Sequence, residues 1–124
     1  LKDVPKAFNI KSFEQTLRLA SEFFKNDPRP FCLLGLNPHA GEKGLLGREE
    51  FGLLQKKDQT ALKKFLKGRS LQFVSPDAAF LRGQWKKYST YIALYHDQGL
   101  IPFKLVHGVE SGVHLTLGLP FFRT

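Results

Sequence analysis

Two short apolar runs, Phe31-Cys32-Leu33-Leu34-Gly35-Leu36 and Thr90-Tyr91-Ile92-Ala93-Leu94-Tyr95, constrain the fold more than any other feature. Neither alternates polar with apolar residues, so a strand built from either buries both faces, as strands of helix-covered parallel sheets do. Helical periodicity surrounds them. Phe13, Leu17, Ala20 and Phe24 recur on one face, and Ser12 with Gln15 resembles a capping box, so a helix is expected over about 12–25, stopped by Asn26-Asp27-Pro28 and Pro30. A second helical stretch runs from Arg48 to about Lys67, broken or restarted near Asp58, with Gly68 as its stop. A short strand over Leu71 to Val74 and a Ser75-Pro76-Asp77 turn follow. From Gly99 onward Gly and Pro punctuate the chain, with another strand expected over Val113 to Leu117. Helices alternating with apolar strands predict an α/β fold with a largely parallel sheet.

At 124 residues, without a repeat or linker, the chain reads as one unit. No apolar run approaches the roughly 18 residues of a membrane span, and the first residues lack the order of a signal peptide. With a single cysteine, Cys32, there is no internal disulfide, and a reducing, cytoplasmic setting is expected. Methionine is absent even from position 1, so Leu1 is not read as a natural start and a partial chain is expected. A net charge of +8 favours anionic partners: nucleic acid, an acidic membrane surface or a phosphorylated metabolite. The basic groups Lys56-Lys57, Lys63-Lys64-Lys67-Arg69 and Arg82-Lys86-Lys87 interleave with Leu62, Phe65 and Leu66 as on a solvated helix face. Trp85 and Tyr88 beside Lys86-Lys87 could stack on bases, but the segment carries no nucleic-acid motif.

The chemistry-bearing residues are distinguished by position. His39 comes three residues after the first apolar run and His96 directly after the second. In open α/β sheets ligands bind beyond the carboxyl ends of the strands, which is where both imidazoles fall. A lone histidine is more often structural, yet two at equivalent strand ends, each beside a carboxylate able to orient it (Glu42 and Asp97), form a candidate metal site. A catalytic metal normally takes three protein ligands, and only two good ones are found, since His107 and His114 lie in a glycine-punctuated segment. The loop Gly41-Glu42-Lys43-Gly44-Leu45-Leu46-Gly47 is compatible with a phosphate cradle or a plain structural turn. Lys104 and Arg123 read either as anion-binding cations or as surface charges. Cys32, inside an apolar strand, reads as inert packing.

Four blocks in order resemble the 4-hydroxythreonine-4-phosphate dehydrogenase family, which makes a precursor of pyridoxal phosphate: Leu36-Asn37-Pro38-His39-Ala40-Gly41-Glu42, Gly47-Arg48-Glu49-Glu50, Tyr95-His96-Asp97-Gln98-Gly99-Leu100 and Leu117-Gly118-Leu119-Pro120-Phe121-Phe122-Arg123-Thr124. The resemblance covers the chain but only the middle and later part of a family member. It implies a three-layer α/β/α fold like that of isocitrate and isopropylmalate dehydrogenases, incomplete over residues 1–124. It also implies NAD, a divalent metal (zinc, magnesium or cobalt) and a homodimer with a shared active site. From the composition and the lack of a motif, neither a membrane nor nucleic acid is the expected partner.

By the same resemblance His39 and His96 match two of three metal-binding histidines, the third belonging upstream of Leu1. Glu42 and Asp97 remain the orienting carboxylates, and no catalytic residue is assigned beyond the metal ligands. Lys104 and Arg123 match positions that bind the phosphorylated substrate. A third such position is usually Asn in Gly-Val-Asn, where this chain has Gly112-Val113-His114, and the loop from Lys104 to Gly112 is one residue longer than usual. The implied reaction is NAD-dependent oxidation and decarboxylation of 4-phosphooxy-L-threonine to 3-amino-2-oxopropyl phosphate, with the 124-residue chain alone inactive. The alternatives are a related dehydrogenase of another phosphorylated hydroxy-acid, suggested by His114, and a basic nucleic-acid-binding module on the same scaffold.

Overall fold

The structure is a computed structural model that describes residues 9–36, 56–108 and 110–120. Within these, α1 (Ile10–Phe23) leads to β1 (Phe31–Leu34), and α2 (Lys56–Leu66) leads to β2 (Leu71–Val74). A single-turn helix α3 (Pro76–Ala79) and a 3-10 turn at Trp85–Lys87 then precede β3 (Thr90–Ile92) and α4 (His96–His107). The fold is α/β with a parallel sheet, as the apolar runs predict.

The strand order is β2-β1-β3. β1 is central and pairs in parallel with both neighbours, Phe31 opposite Leu71 on one side and Thr90 on the other. Its four residues are all buried because each face is covered. Phe31 and Leu33 pack with Phe13, Leu17 and Ala20 of α1, Leu62 and Leu66 of α2, and Ile92. Cys32 and Leu34 face the other way, onto Ala79 and Tyr88.

The helix ends depart from the expected boundaries for local reasons. Asn9, not Ser12, caps α1: its side-chain oxygen accepts from the backbone N–H of Lys11 at 3.0 Å and of Ser12 at 3.3 Å. This satisfies two amides that lack intrahelical partners and starts the helix earlier. At the other end Arg69 donates to the carbonyls of Phe24 at 2.5 Å and Asp27 at 2.7 Å, and to that of Leu66 at 3.3 Å. Arg69 is therefore a half-buried cap joining the ends of α1 and α2, not a member of a solvated basic face. Lys67, which with Gly68 takes positive φ after α2, forms an ion pair with Glu22.

Three expectations fail after β2. The strand read through Tyr95 ends at Ile92, because the backbone groups beyond it bond to a side chain, as described below. The Gly/Pro-punctuated stretch from Gly99 is the body of α4, with Pro102 inside the helix. Proline forfeits one backbone hydrogen bond there, but Gly108, at φ 60, is the actual stop. The strand expected over Val113 to Leu117 is irregular chain with exposed Val113, Leu115 and Leu117, so no alternating face is buried. That segment is instead held by close approaches at glycines, Gly112 against the Phe103 ring and Gly118, at φ 88, against Leu19.

Burial pushes the Cys32 thiol up to about 12 from its ordinary 9.0, which fits inert packing. The native state thus holds this proton more tightly than the unfolded chain, so its contribution to stability is full below the unfolded value and is lost as pH rises toward the folded one. Urea unfolding between about pH 8 and 10.5 should show declining stability. Cys32→Ala should flatten part of that decline, and an unchanged slope would contradict it.

Candidate functional site

The order β2-β1-β3 places the chain's change of direction at β1, since β2 lies on one side of it and β3 on the other. The crevice beyond the carboxyl ends of β1 and β3 is therefore the expected binding position. His96 and Asp97 lie at its rim, as the first two residues of α4. They are bonded to each other, His96 Nδ1 to Asp97 Oδ1 at 2.8 Å. A carboxylate oxygen accepts here, so Nδ1 is the donor, and in the neutral imidazole Nε2 presents a lone pair. With the His96 side chain 77% exposed, that lone pair is available to a ligand.

Beneath this pair lies a residue that the sequence reading did not single out. Gln98 is only 7% exposed. Its Oε1 accepts from the Leu94 N–H at 2.8 Å, and its Nε2 donates to the Gly35 carbonyl at 2.6 Å. Gly35 in turn donates its N–H to the Val74 carbonyl at 2.9 Å. One chain of hydrogen bonds thus crosses the carboxyl ends of all three strands. The only prior signal was a glutamine in the first turn of an unrecognised helix, where such a side chain can reach back to amides before the helix start. Gly99 brings that turn in closely, since a Cβ there would stand 3.1 Å from the Ala93 Cβ.

Of the other expected site residues, Lys104 sits on α4, two turns beyond His96 and exposed. His114 is exposed in the irregular segment, outside any helix or strand. His107 stacks against Phe103 at 5.0 Å and contacts the Ser111 hydroxyl at 3.2 Å. His39, Glu42, Arg123 and the glycine loop lie outside the described residues. Among the described residues no three His, Cys, Asp or Glu side chains gather as a metal site.

The sequence model of the family described as "Pyridoxal phosphate biosynthetic protein PdxA" matches residues 1–124. The chain belongs to this family. It is 40% identical to a 4-hydroxythreonine-4-phosphate dehydrogenase of Desulfosudis oleivorans, across 100% of this chain and 37% of the relative. It is 43% identical to one from Stenotrophomonas maltophilia, across 99% of this chain and 38% of the relative. The chain therefore spans less than two fifths of the length of these curated relatives. A crystal structure of 4-hydroxythreonine-4-phosphate dehydrogenase from Klebsiella pneumoniae superposes with a TM-score of 0.77 at 33% identity, covering 99% of this chain and 37% of that one. A terephthalate 1,2-cis-dihydrodiol dehydrogenase from Burkholderia xenovorans superposes with a TM-score of 0.64 at 26% identity, covering 85% and 33%.

The close contact at Gly99 is directly testable. Gly99→Val should force α4 away from Ala93 and cost about 1–3 kcal/mol in urea unfolding. Gly99→Ala should cost less, because its better helix propensity offsets the small displacement. A valine variant as stable as the parent would contradict the described approach.

Proposed function

We propose that this chain contributes the strand-end part of the active site of an NAD-dependent dehydrogenase acting on 4-phosphooxy-L-threonine. The alcohol is oxidised to a ketone, and the resulting β-keto acid loses carbon dioxide to give 3-amino-2-oxopropyl phosphate for pyridoxal phosphate synthesis. The reading rests on one observation, a carboxylate-oriented imidazole at the β1–β3 strand ends of a chain that belongs to the PdxA family.

The residues fit a divalent metal such as zinc, magnesium or cobalt. His96 has its outer nitrogen free and its inner nitrogen fixed by Asp97, the arrangement that sets tautomer and ring orientation in metal-binding histidines. His39, beside Glu42 and four residues beyond Gly35, would be the second ligand. When bound, the metal supplies Lewis acidity that eases loss of the alcohol proton and draws electrons during decarboxylation. NAD, when bound, would supply the hydride acceptor for the oxidation.

The chain's remaining task is to hold the substrate. Lys104 stands eight residues beyond His96 on the same helix, about 12 Å along its axis. At that spacing Lys104 would bind the phosphate of a short substrate whose hydroxyl lies near His96. Arg123 would complete the phosphate site, with His114 hydrogen-bonding the substrate where Asn is usual. Anchoring the phosphate lets binding energy remote from the reaction position the reacting carbon. We also propose a homodimer with a shared site, a cytoplasmic location, and a three-layer fold of the isocitrate dehydrogenase kind for the whole protein. Among the described residues no helix is long and apolar enough to cross a membrane.

A second reading, a dehydrogenase of a different hydroxy-acid or diol, is favoured by His114 and by the likeness to the dihydrodiol enzyme. Assay of the native protein separates the two. NADH formation from 4-phosphooxy-L-threonine should require added divalent metal, and His96→Ala should lower kcat at least about 100-fold with the circular dichroism unchanged. Metal-dependent turnover retained in His96→Ala would remove His96 from the site. Turnover of other hydroxy-acids but not of this substrate would favour the second reading.

A further inference from the structure

The β1–β3 register pairs Phe31 with Thr90, Cys32 with Tyr91 and Leu33 with Ile92. Continued two steps, it would set Gly35 opposite Leu94. The backbone ladder does not continue. At that level the Gln98 carboxamide stands between the strands, accepting from Leu94 and donating to Gly35 as a peptide group would. Parallel strands can therefore separate at their carboxyl ends without leaving a buried amide or carbonyl unpaired. The start of α4 has no side-chain cap on Tyr95. Among the described residues, Gln98 makes the side-chain hydrogen bonds that tie this helix to the sheet.

We propose that Gln98 is a positioning residue: its carboxamide holds the β1 and β3 ends at a fixed separation and thereby sets where His96 presents Nε2 relative to the chain leaving β1. This deepens the metal-site reading above and rests on it. The physical case is that two bonds to a buried amide fix both the distance and the rotation of the first helical turn, on which His96 lies two residues before Gln98. A purely apolar contact would leave that turn free to slide. Residues that orient metal ligands from behind typically change metal affinity ten- to hundredfold when removed.

The test uses the native protein, Co(II) as the probe and NMR of the His96 ring in the metal-free state. Gln98→Ala and the nearly isosteric Gln98→Leu should weaken Co(II) binding about ten- to hundredfold and shift the His96 ring resonances. Phe23→Ala, an exposed residue at the last position of α1, should leave both unchanged in the folded protein. If Gln98→Ala fails to fold, Gln98→Glu serves, because a carboxylate still accepts from Leu94 but cannot donate to Gly35. Where His96→Ala abolishes Co(II) binding, unchanged affinity in the Gln98 variants overturns the proposal. Where His96→Ala leaves Co(II) binding intact, the metal reading fails instead, and the ring resonances decide: displaced in the Gln98 variants they support the positioning role, and unmoved they overturn it.

Discussion

A buried amide side chain at the carboxyl end of a parallel sheet governs this architecture. Backbone polar groups cannot be left unpaired in the interior, so strands that part company to make room for a ligand need substitute partners. Gln98 supplies both a donor and an acceptor, to Gly35 and from Leu94, while Gly35 remains bonded to Val74. The three strand ends, the first turn of α4 and the His96–Asp97 pair are thus connected through one short network. Such a network holds a geometry well when complete, because each bond lost exposes the full cost of an unsatisfied buried group.

The remaining parts of the fold support that network from two sides. On one face α1 and α2 press on Phe31 and Leu33, and Arg69 joins the ends of those helices through three carbonyls. On the other face Tyr88 and Ala79 close over Cys32 and Leu34. The central strand is accordingly fixed in position, and Gly35 at its carboxyl end is held from both sides. This division between a packed sheet and chemistry at its rim suits a scaffold shared with dehydrogenases of different named substrates.

Much of this was legible in the residues. The unbroken apolar runs identified β1, buried throughout, and β3, which is shorter and only half-buried, and the spacing of Phe13, Leu17 and Ala20 identified the helix above them. The position of His96 just beyond an apolar run matches its place at the start of α4, after β3. What was illegible shares one cause, namely tertiary contacts overriding local signals. Gly99 and Pro102 look like helix breakers, yet Gly99 is needed for close approach to Ala93 and Pro102 costs a single bond. Val113, Leu115 and Leu117 alternate as a strand would but find no ladder among the described residues. Gln98 carries no signature by itself, because its value depends on a gap between strands that only the folded chain creates. Arg69 was hidden among lysines for the same reason, its guanidinium being placed by the carbonyls it meets.

The proposed metal site requires His39, which follows β1 in the sequence, and His96, which follows β3, to bind one ion. Anomalous diffraction from crystals of the native protein soaked in Zn(II) or Co(II) tests it most directly. The account predicts a single strong peak about 2.0–2.1 Å from a ring nitrogen of His39 and from Nε2 of His96. Separate peaks on the two histidines, or a metal that touches neither, would contradict it.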